Sequence, residues 1–207
     1  MNETMDEEDL AETKKRIRSE RLAVRDALSI EDRVAASDAL VGFACELGVA
    51  PGSVVSGFLP IRSEIDVRPL LSTLVVKYGV TVGLPIIMKS GGLFFRAYKD
   101  GDDLIPLGFG TYGPGEGQPV VVPDLILAPL AAFDRRGERI GYGKGHYDQT
   151  IARLRREGFA PRVVGVAYAC QEVERVPAES HDVPLEMILT EKGLIRTTPD
   201  PAKGGAA

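Results

Sequence analysis

The residues best suited to chemistry lie in one segment, 130–148, which is rich in glycine and carries three arginines and one lysine. Within 141–145, three glycines occupy alternate positions. Glycines placed in this way let the backbone curve closely around a ligand and turn several N–H groups towards it. Arg139 and Lys144 add cations, and a guanidinium can hold two phosphate oxygens at once. The pattern predicts a loop that binds an anion such as phosphate.

The spacing of these glycines differs from that of two well-known phosphate loops. A Walker A loop has four residues between its first glycine and Gly-Lys-Ser/Thr, and the dinucleotide loop follows Gly-x-Gly-x-x-Gly. A glycine-rich segment can also be a mobile turn that binds nothing. Arg139, Lys144 and Asp148 lie in the same segment, and their combination favours the binding loop.

The elements around the segment place it at one edge of a sheet. An apolar stretch at 124–129 predicts a strand before it, and 146–157 predicts a helix after it. Loops that leave the carboxyl ends of strands are where open α/β folds bind their ligands. The positive end of the following helix also favours an anion at this place.

The rest of the chain alternates between helix and strand patterns. Apolar residues recur at helical spacing in three stretches, 7–28, 30–47 and 67–78. Ser29 and Asp66 are placed to cap the second and third of these helices. Further strands are predicted from short apolar runs at 53–59, 81–87, 93–98 and 163–167, with a final hairpin at 187–195. The stretch 99–118 resembles a loop because it holds many glycines.

This alternation predicts the class of fold. Strands that alternate with helices form α/β layers, so we expect an α/β three-layer sandwich with a largely parallel central sheet and helices on both faces. We expect one domain over residues 1–196. The tail 197–207 has no apolar face, which predicts disorder there.

Composition excludes several classes of function. The net charge is −5 over 207 residues, which argues against a protein that binds nucleic acid through bulk electrostatics. No apolar run approaches the roughly 18 residues that span a membrane, and the acidic start differs from a signal peptide. Cys45 and Cys170 lack metal-ligand spacing. We expect a cytoplasmic protein, a monomer or a weak homodimer, whose partners are small molecules.

One long pattern matches a known family. It consists of Pro129-Leu-Ala-Ala-Phe-Asp134, then Gly137-x-Arg139-Ile-Gly141-x-Gly143-x-Gly145-x-Tyr147-Asp148. This run resembles the signature of the 5-formyltetrahydrofolate cyclo-ligases, also called methenyltetrahydrofolate synthetases. The resemblance extends to 14–18, 58–64 and 176–182. It implies ATP- and Mg²⁺-dependent cyclisation of 5-formyltetrahydrofolate to 5,10-methenyltetrahydrofolate, with release of ADP and phosphate through phosphorylation of the formyl oxygen.

The resemblance also implies roles for individual residues. The ATP-binding positions are Lys14, Arg18, Arg139, Ile140, Gly141, Tyr142, Gly143, Lys144, Gly145, His146 and Tyr147. Among these, the catalytic cations would be Lys144 and Arg139. The folate contacts are Leu59, Glu64, Tyr142 and Tyr147. The Mg²⁺ ligands are Asp148 and Glu186.

The residues themselves leave alternatives open at three of these places. Lys14 and Arg18 belong to a helical stripe with Arg21 and Arg25, which could face either a triphosphate or solvent. Asp148 could cap the following helix instead of binding a metal. Glu64 could be an ordinary loop carboxylate.

Two positions depart from the pattern of the family. His146 stands where family members often carry tyrosine, which removes an aromatic contact or adds a titrating group. Glu186 stands where an aspartate is usual, which questions its role as a metal ligand. We expect the other histidine, His181, to be structural.

Two rival functions remain on the sequence alone. The first is a folate- or nucleotide-binding module on the same scaffold that does not turn over. The second is an enzyme like the sugar-phosphate isomerases or CoA-transferases, whose layered fold is similar, because fold alone does not fix function. Release of phosphate with 5-formyltetrahydrofolate separates the cyclo-ligase from the first rival, and dependence on ATP separates it from the second.

Overall fold

The computed structural model describes residues 7–108, 111–179, 182 and 184–198. Within these ranges the chain forms four α-helices, which are α1 (Glu7–Asp26), α2 (Ile30–Ala39), α3 (Arg68–Tyr78) and α4 (His146–Arg156). The strands in the same ranges are β1 (Val54–Ser56), β2 (Thr81–Ile87), β3 (Leu93–Tyr98), β4 (Leu104–Gly108), β5 (Thr111–Pro114), β6 (Val120–Val121), β7 (Leu125–Pro129), β8 (Ala132–Phe133), β9 (Arg139–Ile140), β10 (Arg162–Val166), β11 (Met187–Thr190) and β12 (Gly193–Arg196).

Eight strands form the central sheet in the order β12-β11-β10-β7-β1-β2-β3-β6. The five strands from β11 to β2 run parallel to one another, and the outer strands β12, β3 and β6 pair antiparallel. The parallel strands are buried on both faces, as the uninterrupted burial of Leu125 to Ala128 in β7 shows. The predicted, largely parallel sheet is therefore confirmed.

Helices cover both faces of this sheet. On one face, α2 and α3 pack with Ala36 and Leu70 against a cluster that includes Val55 and Leu127. On the other face, α4 packs through Ile151 and its neighbours on Ile126 of β7. The three-layer α/β sandwich is confirmed. α1 lies at the carboxyl edge of the sheet, where Ile17 packs on the small β8–β9 hairpin.

Several predicted boundaries hold, and the reason is local chemistry. Ser29 caps α2 by accepting the backbone N–H of Asp32 at 3.0 Å. Gly79 ends α3 in the left-handed region with φ 61°. The α-helical part of the second helix ends at Ala39, earlier than predicted, and continues as a 3₁₀ helix (Leu40–Phe43). Gly42 lies in this part and lowers its helix propensity.

Two predicted loops contain strands. The stretch 99–118 holds the antiparallel pair β4–β5, and the glycine-rich segment holds β8–β9. Pro106 and Pro114 favoured the prediction of a loop over β4 and β5, but proline is tolerated in edge strands such as these. Strand β1 is shorter than predicted and ends at Ser56.

Some expectations lie beyond what the structure describes. Residues 199–207 of the predicted disordered tail and His181 are outside the described residues, and the domain boundary at residue 196 stays a prediction. Within the described ranges, no helix combines the length and apolar character that crossing a membrane requires.

Candidate active site

The β8–β9 hairpin fixes how the chain enters the glycine-rich loop. Asp134 is fully buried at its turn, where it accepts hydrogen bonds from the backbone and guanidinium of Arg136 and from the N–H of Val176, at 2.7–2.9 Å. Gly137 has φ 87°, and a Cβ there would lie 2.1 Å from the carbonyl oxygen of Leu185. Asp134 and Gly137 of the signature therefore stabilise the fold, and position 137 has no room for a side chain.

The loop itself, residues 141–145, uses its glycines for backbone shape. Gly143 and Gly145 have φ 89° and 61°, a region that side-chain-bearing residues rarely adopt. Gly145 is the N-cap of α4, so the loop ends at the positive end of that helix. Lys144 between them is exposed. The arrangement fits the predicted anion-binding loop.

The basic stripe on α1 faces other elements of the protein. Arg18 donates from Nε to the carbonyl oxygen of Gly141 at 2.7 Å, and Arg21 donates to the carbonyl oxygen of Cys170 at 3.3 Å. Lys14 and Arg25 also contact residues distant in sequence. The interpretation of this stripe as a solvated face is therefore wrong. Arg18 and Arg25 bring α1 against the glycine-rich loop, whereas Lys14 and Arg21 contact residues 170–182.

Lys14 is held by two carboxylates. Its Nζ lies 2.7 Å from Oε2 of Glu179 and 2.8 Å from Oδ2 of Asp182, and its side chain is 17% exposed. Burial alone would lower the pKa of Lys14, but the hydrogen bonds that Lys14 donates to Asp182 and Glu179, together with their negative charge, outweigh it and raise the pKa above 10.5. Lys14 is therefore charged at neutral pH, and a phosphate would compete with these carboxylates for it.

Asp148 forms an ion pair with Arg139 instead of capping its helix. The Nη2 of Arg139 donates to Oδ1 of Asp148, and the N-cap of α4 is Gly145. The capping alternative for Asp148 is therefore wrong. The Arg139 side chain is 12% exposed and that of Asp148 is 63% exposed. The pair links the hairpin to the first turn of α4 and leaves the carboxylate at the surface of the loop.

The two predicted metal ligands fit Mg²⁺ unequally. Asp148 offers exposed carboxylate oxygens, the donor type that Mg²⁺ prefers, and Arg139 engages one of them. Glu186 lies just before β11, and no hydrogen bond or ion pair among the described residues joins it to Asp148. No group of three or more His, Cys, Asp or Glu in the described part of the chain is arranged to hold a metal. Mg²⁺ usually takes only one or two carboxylates beside phosphates and water, so Asp148 suffices as a protein ligand whether or not Glu186 joins it.

Glu64 lies on the loop after β1 and meets the glycine-rich loop. Its Oε2 accepts the N–H of Ile61 at 2.8 Å, and its carboxylate accepts a hydrogen bond from the hydroxyl of Tyr142. Burial raises the pKa of Glu64, although Tyr142, the Ile61 N–H and the charge of Arg25 each act to lower it. Glu64 is thus a partly buried carboxylate with fixed neighbours, unlike an ordinary loop carboxylate.

The two tyrosines predicted to contact folate both lie near enough to this carboxylate to be influenced by its charge. Tyr142 exposes 42% of its surface, yet its hydroxyl end is enclosed between Arg25 and Glu64. Tyr147, in the first turn of α4, packs against the cluster under that helix. Burial and the nearby charge of Glu64 raise the pKa of both tyrosines, so both stay protonated donors at neutral pH.

The other predicted residues are placed as follows. Leu59 is partly buried after β1, next to the loop that carries Glu64. Ile140 is 2% exposed and packs with Ile17, so a nucleotide contact there would use its backbone. His146 begins α4, and its Nδ1 is buried without a hydrogen-bond partner within the described residues.

Sequence reasoning missed two residues that join these loops. Arg25 was noted in the basic stripe but was not assigned to the site, and Ser63 was not singled out. Arg25 donates from Nη1 to the Tyr142 hydroxyl at 2.6 Å and from Nε to Oγ of Ser63 at 2.8 Å. The available signal was the continuation of the cationic stripe to the last turn of α1.

The fold is an α/β sandwich, and its candidate ligand site lies at the carboxyl edge of the sheet. The sequence profile of the 5-formyltetrahydrofolate cyclo-ligase family matches residues 10–191. The chain belongs to this family.

Individual relatives agree with that assignment. The 5-formyltetrahydrofolate cyclo-ligase of Escherichia coli K12 is 33% identical over 148 residues, covering 69% of this chain and 80% of its own length. The one from Mycolicibacterium smegmatis is 30% identical over 198 residues, covering 87% and 94%. The solved structure of Aquifex aeolicus 5,10-methenyltetrahydrofolate synthetase is 31% identical, with a TM-score of 0.71 and coverage of 90% and 93%.

Proposed function

We propose that this protein catalyses the ATP- and Mg²⁺-dependent cyclisation of 5-formyltetrahydrofolate to 5,10-methenyltetrahydrofolate. The observation that carries the proposal is the position of the glycine-rich loop. On one side it meets Arg18 of the basic helix through the carbonyl of Gly141, and on the other it meets Glu64 through Tyr142. One short loop therefore lies between a cationic surface suited to a triphosphate and a carboxylate suited to a pterin.

In the first step, the formyl oxygen on N5 attacks the γ-phosphorus of ATP. A bond forms between that oxygen and phosphorus while the bond to the bridging oxygen breaks, and ADP leaves with that electron pair. Catalysis of phosphoryl transfer depends on alignment and on stabilising charge on the moving group. Lys144 on the loop and Arg139 beside it suit the second task. Lys14 and Arg18 would hold the phosphates that do not react.

In the second step, N10 attacks the activated formyl carbon and closes the ring. The carbon–oxygen bond then breaks, phosphate leaves with the former formyl oxygen, and N10 gives up its proton to solvent. Glu64 would accept hydrogen bonds from pterin N–H groups, which holds the folate in register with the nucleotide. Tyr142 and Tyr147 would line the same pocket as protonated donors.

Asp148 is the residue that would hold Mg²⁺, with Glu186 as the second candidate. A metal held there would supply positive charge that stabilises the phosphoryl group during transfer. The ion pair with Arg139 orients the Asp148 carboxylate at the end of the phosphate loop. Phosphate binding by Arg139 would leave this carboxylate to the metal.

The experiment that tests the proposal follows the ultraviolet absorbance of methenyltetrahydrofolate with and without ATP. Purified protein with 5-formyltetrahydrofolate, ATP and Mg²⁺ should form the product, and omission of ATP should abolish it. A protein that binds both ligands but forms no product would be the binding module instead. Product formation that is independent of ATP would contradict the proposed reaction.

A further inference from the structure

Arg25 occupies a junction of three elements near the folate side of the site. It belongs to the last turn of α1 and is 2% exposed, which is unusual for a charged side chain. Its Nε donates to Oγ of Ser63 on the loop after β1 at 2.8 Å. Its Nη1 donates to the hydroxyl of Tyr142 on the glycine-rich loop at 2.6 Å, and its guanidinium lies 5.9 Å from the centre of that ring.

These contacts fix the direction of a chain of hydrogen bonds. A guanidinium has only donors, whereas a tyrosine hydroxyl has one proton and can also accept. The Tyr142 oxygen therefore accepts from Arg25, and its proton remains for the carboxylate of Glu64. The chain runs from Arg25 through Tyr142 to Glu64, and every member has a defined role.

The charges around Glu64 determine whether its carboxyl group is protonated. The charged and titratable groups near it are Arg25 on α1, Tyr142 on the glycine-rich loop and Tyr147 on α4. Arg25 supplies the positive charge in this set. Burial favours the protonated form of Glu64, and a protonated carboxyl would donate a proton where the substrate needs an acceptor.

We infer that Arg25 is a positioning residue for folate recognition: it directs the Tyr142 hydroxyl to Glu64 and keeps Glu64 a hydrogen-bond acceptor for N–H groups of the substrate. This inference rests on the proposed function, because it assumes that Glu64 contacts the pterin. Arg25 acts through Tyr142 and Glu64 and leaves the phosphate side of the loop to Arg18 and Lys144. Its loss should therefore affect folate binding more than ATP binding.

The test compares Arg25→Met and Arg25→Lys with the control Arg21→Met. Arg21 lies on the same stripe one turn earlier and contacts the Cys170 carbonyl, not Tyr142 or Glu64. Equilibrium binding of 5-formyltetrahydrofolate is measured without ATP by titration calorimetry, across pH, together with KM for each substrate. Binding in the absence of ATP reports on Arg25 even if the wild type proves unable to turn over.

Arg25→Met should weaken folate binding about ten- to hundredfold, the usual cost of losing a charge-assisted hydrogen bond, with KM for ATP changed less than about twofold. The pH below which folate binding weakens should move upwards. Arg25→Lys keeps the positive charge but loses the forked guanidinium. It should therefore preserve the wild-type pH dependence of folate binding better than the wild-type folate affinity. Arg21→Met should leave both the folate affinity and its pH dependence unchanged.

Combination with Tyr142→Phe separates positioning from general support of the fold. If Arg25 acts through Tyr142, Arg25→Met should add little to folate affinity once Tyr142→Phe is present, because the two changes break the same chain. The inference would be overturned if the losses of folate affinity in the double variant were fully additive. It would also be overturned if Arg25→Met weakened the use of folate and ATP equally, or left the pH dependence of folate binding unchanged. Should Arg25→Met fail to fold, an Arg25→Lys variant with wild-type pH dependence and wild-type folate affinity would overturn it as well. A wild type that binds folate without ATP-dependent turnover would instead count against the proposed function.

Discussion

Replacement of Glu64 by glutamine should weaken folate use while sparing the fold. The structure gives the carboxylate two fixed donors, the Ile61 N–H and the Tyr142 hydroxyl, and glutamine can still accept one hydrogen bond through its carbonyl oxygen. The substitution removes the charge that the proposed pterin N–H groups would face. A charge-assisted hydrogen bond contributes about 1.5–3 kcal/mol, so KM for the folate should rise about ten- to hundredfold.

Although Glu64→Gln should weaken folate binding, it should maintain or increase the stability of the folded protein at neutral pH. Burial raises the pKa of Glu64 above 4.5 even with Arg25 nearby, so the folded protein binds this proton more tightly than the unfolded chain. Stability from this group is fully present below pH 4.5 and is lost as the pH rises through its folded pKa. Glutamine has no such proton to lose. Glu64→Gln should therefore melt at or above the wild-type temperature at neutral pH.

The assay combines steady-state kinetics for both substrates with thermal melts from about pH 5 to about pH 8. Glu46→Gln is the control, because Glu46 is an exposed carboxylate far from the glycine-rich loop in sequence. The melting temperature of Glu64→Gln relative to wild type should increase with pH, and that of Glu46→Gln should not. Equal effects on KM for folate and ATP, or a variant that loses stability relative to wild type as the pH rises, would refute the reasoning.

Three further predictions concern other parts of the site. Lys144→Ala should lower turnover about 10²–10³-fold, because a cation aimed at the phosphoryl group acts on transition-state charge; near wild-type kcat and KM for ATP would contradict it. Asp148→Asn should raise the Mg²⁺ concentration needed for half-maximal activity more than Glu186→Gln does, and an unmoved value would remove Asp148 as a ligand. Gly137→Ala should destabilise the fold by about 2 kcal/mol or more, since its Cβ would lie 2.1 Å from the Leu185 carbonyl, and an unchanged Tm would contradict that geometry.

The sequence predicts those features that depend on near neighbours. Ser29 and Gly79 mark helix ends through short-range backbone chemistry, and both predictions are confirmed. The apolar run of β7 predicts a buried strand because a parallel strand is covered on both faces. The glycines at 143 and 145 predict a tightly curved loop, and both have positive φ.

Features that depend on distant contacts escaped prediction. The ion pair between Arg139 and Asp148 replaces the cap that the position of Asp148 suggested. Arg25 becomes part of the site only because Ser63, 38 positions away, and Tyr142, 117 positions away, meet it in the fold. Gly137 is explained by the carbonyl of Leu185, which no local pattern reveals. Such positions require the tertiary structure because their partners are set by packing.

The most direct measurement of the central claim follows the formyl oxygen itself. The protein is incubated with ATP, Mg²⁺ and 5-formyltetrahydrofolate whose formyl group carries an isotopically heavy oxygen, and the released phosphate is analysed by mass spectrometry. Because the formyl oxygen attacks the γ-phosphorus and leaves on phosphate, one heavy oxygen should appear in the phosphate for each methenyltetrahydrofolate formed. Unlabelled phosphate alongside product, or no product at all, would contradict phosphorylation of the formyl oxygen at this site.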